Sequence, residues 1–145
     1  MIRFINAEEL LHIRNVVSRD GKLTPEECRF PTDDLPGAFH LGYCIDDELV
    51  SITSLHPQTY EGYQGTGYQL RGMATLPQCQ GKGYGNQLLN FAIVYLRGQK
   101  ANYIWCNARK VALKFYADSG FEIISPEFDI KGIGPHHVMY LKIQS

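Results

Sequence analysis

The hydrophobic pattern of the first half of the chain predicts a helix followed by a β-hairpin. Asn6-Ala7-Glu8-Glu9 has the form of a capping box with Asn6 as the N-cap. Apolar residues then return at helical spacing, so a helix is expected that ends near Ser18. They are Leu10, Ile13 and Val17. Prolines and acids mark residues 20–37 as a turn-rich loop with a short helix at 25–28. Two apolar runs, 38–45 and 49–55, indicate strands joined by an acidic turn at 46–48.

Strands and helices alternate in the second half. A loop at 56–67 precedes a strand at 68–76, and a helix then carries apolar positions at helical spacing. These are Leu88, Leu89, Ala92, Ile93 and Leu96. A strand at 103–106 is followed by a helix at about 109–119, and Gly120 suits its left-handed C-terminal residue. Two further strands, at 121–124 and 138–143, end the pattern. The mixture predicts an α/β (α+β) fold, and 145 residues predict one domain, 1–145.

Composition excludes several functional classes. The net charge of −1 and the absence of a Lys/Arg run argue against nucleic acid as a partner. Apolar stretches are far shorter than a membrane-spanning helix, and the first residues lack the succession of a secretory signal. A cytoplasmic protein without a membrane partner is therefore expected. The four cysteines contain no C-x-x-C pair, so reduced thiols and no metal site are expected.

One glycine-rich segment carries the main functional signal. Gln80-Gly81-Lys82-Gly83-Tyr84-Gly85 lies between a predicted strand and a predicted helix. Its glycines allow main-chain N–H groups to approach a ligand, and the helix start supplies unpaired donors and positive potential, so the segment suits a pyrophosphate. The spacing fits neither the G-x-x-x-x-G-K-[ST] loop of ATP-binding proteins nor the G-x-G-x-x-G loop of dinucleotide-binding folds.

The same segment resembles the acetyl-CoA loop of the GNAT N-acetyltransferase superfamily. The pattern Gln-x-x-Gly-x-Gly follows the strand 71–77, and Phe115-Tyr116-x-x-x-Gly120-Phe121 comes later in the family's order and spacing. The resemblance implies a mixed, mostly antiparallel central sheet with splayed strands, flanked by helices. It also implies acetyl-CoA as co-substrate. The alternative is that the glycines only form a tight turn.

The resemblance assigns cofactor-binding positions. The pyrophosphate would lie on the main chain of Gln80, Gly81, Lys82, Gly83, Tyr84 and Gly85. The pantetheine arm would pair with the backbone of Met73, Ala74 and Thr75. The family often has an asparagine seven residues before its tyrosine, where this chain has Arg109. Arg109 is then a candidate for a CoA phosphate or amide, and Asn107 is a further cofactor candidate or a helix cap. For both residues the alternative is a simple surface role.

Tyr116 resembles the family tyrosine that faces the CoA sulfur, so it is the candidate general acid, with a packing role as the alternative. No general base is identified: some members carry a Glu twelve residues before the tyrosine, where Ile104 stands here. His137, Glu61 and a water chain are open candidates, and His137 is equally read as an inward-facing structural residue. Cys106 has no neighbouring histidine and is expected to be structural.

The function predicted is transfer of the acetyl group of acetyl-CoA directly to a primary amine, on a small molecule or a protein. Two alternatives belong to other classes: an acyl-CoA-binding module without turnover, and an interaction domain in which the loop is incidental. Tyr60, Tyr63 and Tyr68 either flank the acceptor amine or cap the core. Association into a homodimer is left open.

Overall fold

The computed structural model describes residues Met1–Gln144. It contains three α-helices and eight strands over these residues. The helices are α1 (Ala7–Ile13), α2 (Tyr84–Gly98) and α3 (Leu113–Ala117). The strands are β1 (Ile2–Ile5), β2 (Phe39–Ile45), β3 (Glu48–Pro57), β4 (Gly67–Thr75), β5 (Tyr103–Arg109), β6 (Glu122–Ile123), β7 (Phe128–Ile130) and β8 (Gly134–Lys142). Within residues 1–144, no helix is both long and apolar enough to cross a membrane.

The chain forms two compact units, and β4 and α2 have residues in both. The first unit comprises Met1–Pro57 and Leu70–Ala92, with strand order β1-β2-β3-β4. The pairs β1–β2 and β2–β3 are antiparallel, and Asp46 and Asp47 take left-handed conformations in the hairpin turn, with φ of 50° and 67°. Its core is built from α1, β3 and β4, through Leu10, Leu11, Ile13, Ile52 and Ala74.

The second unit comprises Gln58–Gln69 and, among the described residues, 93–144. Its strand order is β4-β5-β8-β6, with β7 paired to β8. Only β4 and β5 are parallel here, and their ladder covers Gly67–Gln69 of β4 and ends at Gln69↔Trp105. The mixed α/β fold with a mostly antiparallel open sheet and flanking helices confirms the predicted fold class.

Local signals predicted several elements correctly. The Asn6 side chain accepts a hydrogen bond from the Glu9 N–H at 3.1 Å and so caps α1. The helical stretch does reach Ser18, but its last turn, Arg14–Ser18, is a π-helix. A short 3₁₀ turn at Glu26–Cys28 fills the predicted position, and Gly120 has a φ of 99°.

Other elements differ from the prediction because strands that are distant in sequence pair with each other. The predicted helix start at Arg109 is wrong, because β5 pairs with β8 as far as Arg109↔His136. A 3₁₀ turn, Lys110–Ala112, and the short α3 follow instead. The strands β1 and β7 were not predicted, since each has only three or four residues and depends on a partner strand.

Candidate active site

The glycine-rich loop presents its backbone to open space. After β4, a 3₁₀ turn at Pro77–Cys79 leads through the loop to the start of α2 at Tyr84. Gly81 and Gly83 have φ of 78° and 85°, and a Cβ added at either would meet no atom within 4 Å. An added Cβ would therefore clash with no neighbouring group, so lack of space does not explain the glycines at these two positions. The left-handed backbone of these exposed residues leaves room for a ligand at the loop.

Contacts on both sides hold this loop in place. The Gln80 side-chain amide donates to the Thr75 carbonyl at 3.1 Å, which ties the loop to the end of β4. The Tyr84 ring stacks on Tyr43 with centroids 4.3 Å apart, which fixes the first residue of α2. The Gln87 N–H donates to the Gly83 carbonyl at 3.0 Å, the bond that starts the helix. Donors ahead of that bond have no partner inside the helix, and they carry the positive end of its dipole.

Lys82 and the strand residues complete the candidate cofactor positions of the first unit. Lys82 is exposed beside the glycines, where it adds positive charge. Ala74 is buried in the core, whereas Met73 and Thr75 are half-buried. The Ser51 hydroxyl donates to the Ala74 carbonyl at 3.3 Å and shares a 2.7 Å hydrogen bond with the Thr75 hydroxyl. Side chains of this segment thus pack within the unit, which leaves its main chain as the part suited to a ligand.

The remaining candidates, Asn107, Arg109 and Tyr116, belong to the second unit. Asn107 and Arg109 are exposed residues of β5 and pair with Val138 and His136 of β8. The prediction that Asn107 caps a helix is wrong, because the strand continues through it and α3 begins six residues later, at Leu113. Both side chains alternate with the buried Cys106 and Ala108 and so lie on one face of β5.

Tyr116 is buried on α3. Its ring makes edge contacts with Phe115 and Phe121, at centroid distances of 5.0 and 5.5 Å. Burial raises the pKa of the Tyr116 phenol well above its usual range, Cys106 raises it further, and Arg109 partly opposes the rise. The phenol therefore remains protonated at any physiological pH, as a proton donor must. The same contacts also suit a packing role, so burial alone does not choose between the two.

Cys106 is placed as a structural residue. The residue is 1% exposed, and burial raises the pKa of its thiol to about 12. Since the thiolate is the nucleophilic form, this cysteine is inert near neutral pH.

Neither of the two side chains named as candidate bases, Glu61 and His137, gains support from its surroundings. Ile104, at the position of the family glutamate, is completely buried. Glu61 is exposed in the loop between β3 and β4. His137 is half-buried, its Nδ1 donates to the Ser125 carbonyl at 3.1 Å, and its Nε2 lies 3.9 Å from the Glu127 carboxylate. These contacts are those of a structurally paired histidine.

Sequence reasoning missed a buried polar cluster in the first unit. We call it the polar cluster, and it consists of Arg14, Asp33, His40, Ser54 and His56. Arg14 donates to the two Asp33 carboxylate oxygens at 2.7 and 2.9 Å, and to Ser54 Oγ at 2.9 Å. One feature of the sequence could have indicated the polar cluster, because Arg14 continues the apolar face of α1, three residues after Leu11. An arginine on such a face indicates a buried ion pair, but its partner is nineteen residues away.

The histidines of the polar cluster are held in defined tautomers. His40 Nε2 donates to the Asp33 carbonyl at 3.1 Å, so in the neutral ring its Nδ1 accepts from Ser54 Oγ at 2.6 Å. His56 Nε2 donates to Asp33 Oδ1 at 3.0 Å, and Nδ1 contacts the Thr32 hydroxyl at 2.7 Å. Asp33, His40 and His56 offer ligand atoms within 4.8 Å of one another, the spacing of a metal site. Each of these ligand atoms has a hydrogen-bond partner within the protein, so none of them requires an ion. Elsewhere in the polar cluster, the buried Nε of Arg14 has no hydrogen-bond partner among residues 1–144.

Opposing effects set the ionisation of the polar cluster. Burial favours the neutral form of Asp33, but hydrogen bonds from Arg14, His56 and the Phe30 N–H outweigh it and hold the pKa well below its usual range. Burial lowers the pKa of His40, Arg14 and His56 lower it further, and Asp33 opposes the shift. Near neutral pH the cluster therefore contains an ionised Asp33 and a neutral His40.

Two of the three tyrosines that were predicted either to flank the acceptor amine or to cap the core belong to an aromatic cluster in the second unit. The aromatic cluster consists of Tyr60, Tyr63, Tyr103, Trp105 and Tyr140. The Tyr103 hydroxyl accepts from the Tyr60 N–H at 2.9 Å and donates to the Tyr63 carbonyl at 3.4 Å. Trp105 Nε1 donates to the Gln58 carbonyl at 2.9 Å. The rings thus hold the loop between β3 and β4, whereas Tyr68 belongs to β4 and is half-buried.

Solved structures with this fold include N-acetyltransferases. An aminoglycoside 6'-N-acetyltransferase complexed with coenzyme A has a TM-score of 0.78 at 14% identity, covering 100% of this chain and 98% of the other. A putative N-acetyltransferase from Lactobacillus plantarum has a TM-score of 0.78 at 18% identity, covering 98% of both chains. At these identities the likeness establishes the fold, which is that of N-acetyltransferases.

Sequence comparison then establishes the family. The family model described as acetyltransferase (GNAT) family matches residues 8–121. The uncharacterized N-acetyltransferase YitI of Bacillus subtilis (strain 168) is 34% identical over 145 residues, which cover 99% of this chain and 97% of that protein. The chain belongs to the GNAT acetyltransferase family. It is accordingly an acetyl-CoA-dependent acyltransferase, which confirms the predicted resemblance, reaction class and co-substrate.

Proposed function

We propose that the protein transfers the acetyl group of acetyl-CoA directly to the nitrogen of a primary amine. The observation that carries the proposal is the loop at Gly81 and Gly83, left-handed, unobstructed and placed at the start of a 15-residue helix. Such a site favours a pyrophosphate, because N–H donors and the helix dipole both point toward it.

The cofactor would then extend along β4. With the pyrophosphate at residues 80–85, the pantetheine arm runs back from the loop toward Thr75, Ala74 and Met73. The β4–β5 ladder ends at Gln69, before these residues, so a main-chain partner can be added beyond it. Asn107 and Arg109, exposed on β5, are proposed as further polar contacts to CoA.

Transfer proceeds by attack of the amine lone pair on the thioester carbonyl carbon. The C–N bond forms, the C–S bond breaks, and the nitrogen loses a proton to solvent. We assign Tyr116 as the group whose hydroxyl donates a hydrogen bond to the sulfur as it leaves with negative charge, since the phenol stays protonated, and the thiolate then takes up a proton from solvent. Direct transfer is favoured over an acyl-enzyme because the Cys106 thiol is buried and its pKa is raised to about 12.

Thermal unfolding with acetyl-CoA, CoA, ATP and NAD tests the cofactor site. At one hundred times its dissociation constant a ligand adds about 2.7 kcal/mol, or roughly 5–10 °C for this size. Both CoA compounds should stabilise the wild type, and ATP and NAD should not. The proposal fails if neither CoA compound shifts the unfolding temperature.

Two glycine variants provide a matched comparison. Gly83→Ala and Gly132→Ala introduce the same Cβ at similar φ, 85° and 82°, and neither Cβ would meet an atom within 4 Å. Both should lose about 1 kcal/mol of stability from backbone strain. Only Gly83→Ala should also weaken acetyl-CoA binding, by roughly 5- to 100-fold from lost or misdirected N–H contacts. Equal affinities in calorimetry would remove the loop from the cofactor site.

Tyr116→Phe tests the assignment of the acid. The variant keeps the ring contacts with Phe115 and Phe121, so its unfolding temperature should change little. Its kcat should fall by roughly 100-fold, because the charge that develops on the leaving sulfur loses its hydrogen-bond donor. An unchanged kcat, measured as CoA thiol released with an accepted amine, would leave Tyr116 as a packing residue.

A further inference from the structure

Two guanidinium groups of the first unit pack against one phenylalanine. Arg14 Cζ lies 3.8 Å and Arg71 Cζ lies 3.9 Å from the centroid of the Phe30 ring. Arg14 is engaged in the polar cluster through Nη1 and Nη2, which donate to Asp33 and Ser54, and Nη1 also donates to the Cys28 carbonyl at 3.0 Å. The two arginines share a ring but differ in their partners.

Arg71 has no acidic partner. It is half-buried on β4, and within residues 1–144 no carboxylate forms an ion pair with its guanidinium. The carboxylate oxygens of the nearby Asp33 already accept hydrogen bonds from Arg14 and His56. They also accept one from the Phe30 N–H at 2.8 Å. Stacking on Phe30 orients the planar group while leaving its N–H edges as the donors.

Charge in this region does not balance. Arg14 and Arg71 supply two positive charges, and Asp33 supplies one negative charge. Burial lowers the pKa of Arg71, and the charge of Arg14 lowers it further, although Asp33 opposes the shift. A partly buried cation without a counter-ion is unfavourable, so the site has a net attraction for an anion.

The backbone brings Arg71 against the polar cluster. Gly72 has a φ of 66°, and a Cβ there would lie 3.2 Å from Arg14 Nε and 3.4 Å from the Phe30 ring. A side chain at this position would press on both groups, so the glycine allows β4 to pass close to them. Arg14 itself is the first residue of the π-helical turn that follows α1, an irregularity that is frequent at functional sites.

Position along β4 relates Arg71 to the transfer reaction. If the pantetheine arm follows Thr75, Ala74 and Met73 away from the loop, its acyl end lies toward Arg71, about 7 Å along the strand from Met73. This step rests on the proposed function. The acceptor amine must approach that same end of the cofactor.

We propose that Arg71 binds an oxyanion of the acceptor, so that the substrate is a primary amine that also carries a carboxylate or a phosphate. The guanidinium fork matches either group with two parallel N–H donors. Stacking on Phe30 fixes the plane of the Arg71 guanidinium. Arg14 is ion-paired with Asp33, so Arg71 is the arginine that binds the ligand.

Matched amine pairs test this substrate class in acetyl transfer by the whole protein. Glycine and β-alanine are each compared with their carboxamides, which tests recognition of a carboxylate. The comparison of 2-aminoethyl phosphate with 2-aminoethanol tests recognition of a phosphate. For wild type, kcat/KM should favour at least one anionic member by roughly 10- to 150-fold, as expected for charge-assisted hydrogen bonds. Preference for the neutral member, or none, overturns the proposal, as does failure to acetylate any of the anionic amines.

Variants of Arg71 locate the preference. Arg71→Met removes the charge and keeps an extended side chain on Phe30, so the anionic-to-neutral ratio should fall to near one. Arg71→Lys keeps the charge and loses the fork, so an intermediate ratio is expected. Arg19→Met, at an exposed arginine, is the matched control and should keep the wild-type ratio. A wild-type ratio in both Arg71 variants overturns the assignment.

Acetyl-CoA calorimetry on the same samples separates the two proposals. If wild type binds no acetyl-CoA, the proposed function fails before Arg71 is tested. If acetyl-CoA binds and amines are acetylated without regard to charge, only the role of Arg71 fails. Should Arg71→Met unfold, Arg71→Lys and the wild-type pairs still decide the outcome.

Discussion

The polar cluster of the first unit and the aromatic cluster of the second stabilise their units by opposite means. In the polar cluster, Arg14 and Asp33 are both buried, and each is the main counter-charge of the other. In the aromatic cluster, Tyr103 and its neighbours pack by ring contact and add a few neutral hydrogen bonds. Both clusters fasten a long connection: the polar cluster holds the segment 28–33, and the aromatic cluster holds the loop after β3.

This difference predicts how each cluster responds to mutation. Removing one partner of a buried ion pair leaves a charge with no compensation, whereas removing a hydroxyl from a packed ring leaves a neutral donor or acceptor. The polar cluster should therefore be sensitive to single conservative changes and to pH. The aromatic cluster should tolerate both.

Asp33→Asn should have the largest effect on stability. The change keeps the shape but leaves Arg14 as an unpaired buried cation, so the free energy of unfolding should fall by about 3–5 kcal/mol. Urea unfolding followed by circular dichroism measures it. Asp34→Asn, at the exposed neighbour, is the control and should stay within about 0.5 kcal/mol of wild type. Similar losses in both variants would contradict the importance of the buried pair.

Tyr103→Phe should have a smaller effect. The ring contacts remain, but the Tyr60 N–H and the Tyr63 carbonyl lose their partner, at a cost of about 1–2 kcal/mol. Tyr140→Phe keeps the ring contacts of the same cluster and serves as the control, with a change below about 0.5 kcal/mol. If Tyr103→Phe cost as much as Asp33→Asn, the proposed difference between the clusters would be wrong.

Acidification should give the smallest effect, and of the two clusters only the polar cluster should contribute to it. Burial lowers the pKa of His40 in the folded protein, so the unfolded chain binds more protons just below its pKa of about 6.5. The stabilising contribution of neutral His40 is therefore complete above that pH and is lost as pH falls, with a slope of at most about 1.4 kcal/mol per pH unit.

Unfolding measured between pH 8 and pH 5 tests this prediction. His40→Gln should reduce the slope, and Tyr103→Phe should keep it. A further loss is expected below about pH 4, because the Asp33 pKa is depressed and its contribution is present only above the unfolded value. Equal slopes in wild type and His40→Gln would exclude His40 as the titrating group.

Features set by neighbouring residues were predicted well. The cap at Asn6, the Asp46–Asp47 turn and the left-handed Gly120 each depend on a few consecutive residues, and all three were found. The glycine-rich loop was also placed correctly between strand and helix, because glycines and a following apolar face are local signals. Its resemblance to an acetyl-CoA loop predicted the family, which sequence comparison confirmed.

Features set by distant pairing were predicted poorly. Nothing near Arg109 indicates that its strand continues, because the reason is the ladder with β8, more than twenty residues later. Likewise, Arg14 could be recognised as an arginine on an apolar face, but neither Asp33 nor His56 could be assigned to it. Asn107 was predicted to cap a helix and lies in a strand for the same reason, since it pairs with Val138 of β8.

The sequence by itself determined the family, the co-substrate and the positions of the local turns and caps, because these depend on short segments whose backbone conformation is specified by their own residues. Only the tertiary structure decided which buried charges pair, and that Arg71 lies beside Phe30 with no ion-paired carboxylate among residues 1–144. The physical reason is that burial and electrostatic compensation are properties of neighbours in space, and those neighbours come from segments far apart in the chain.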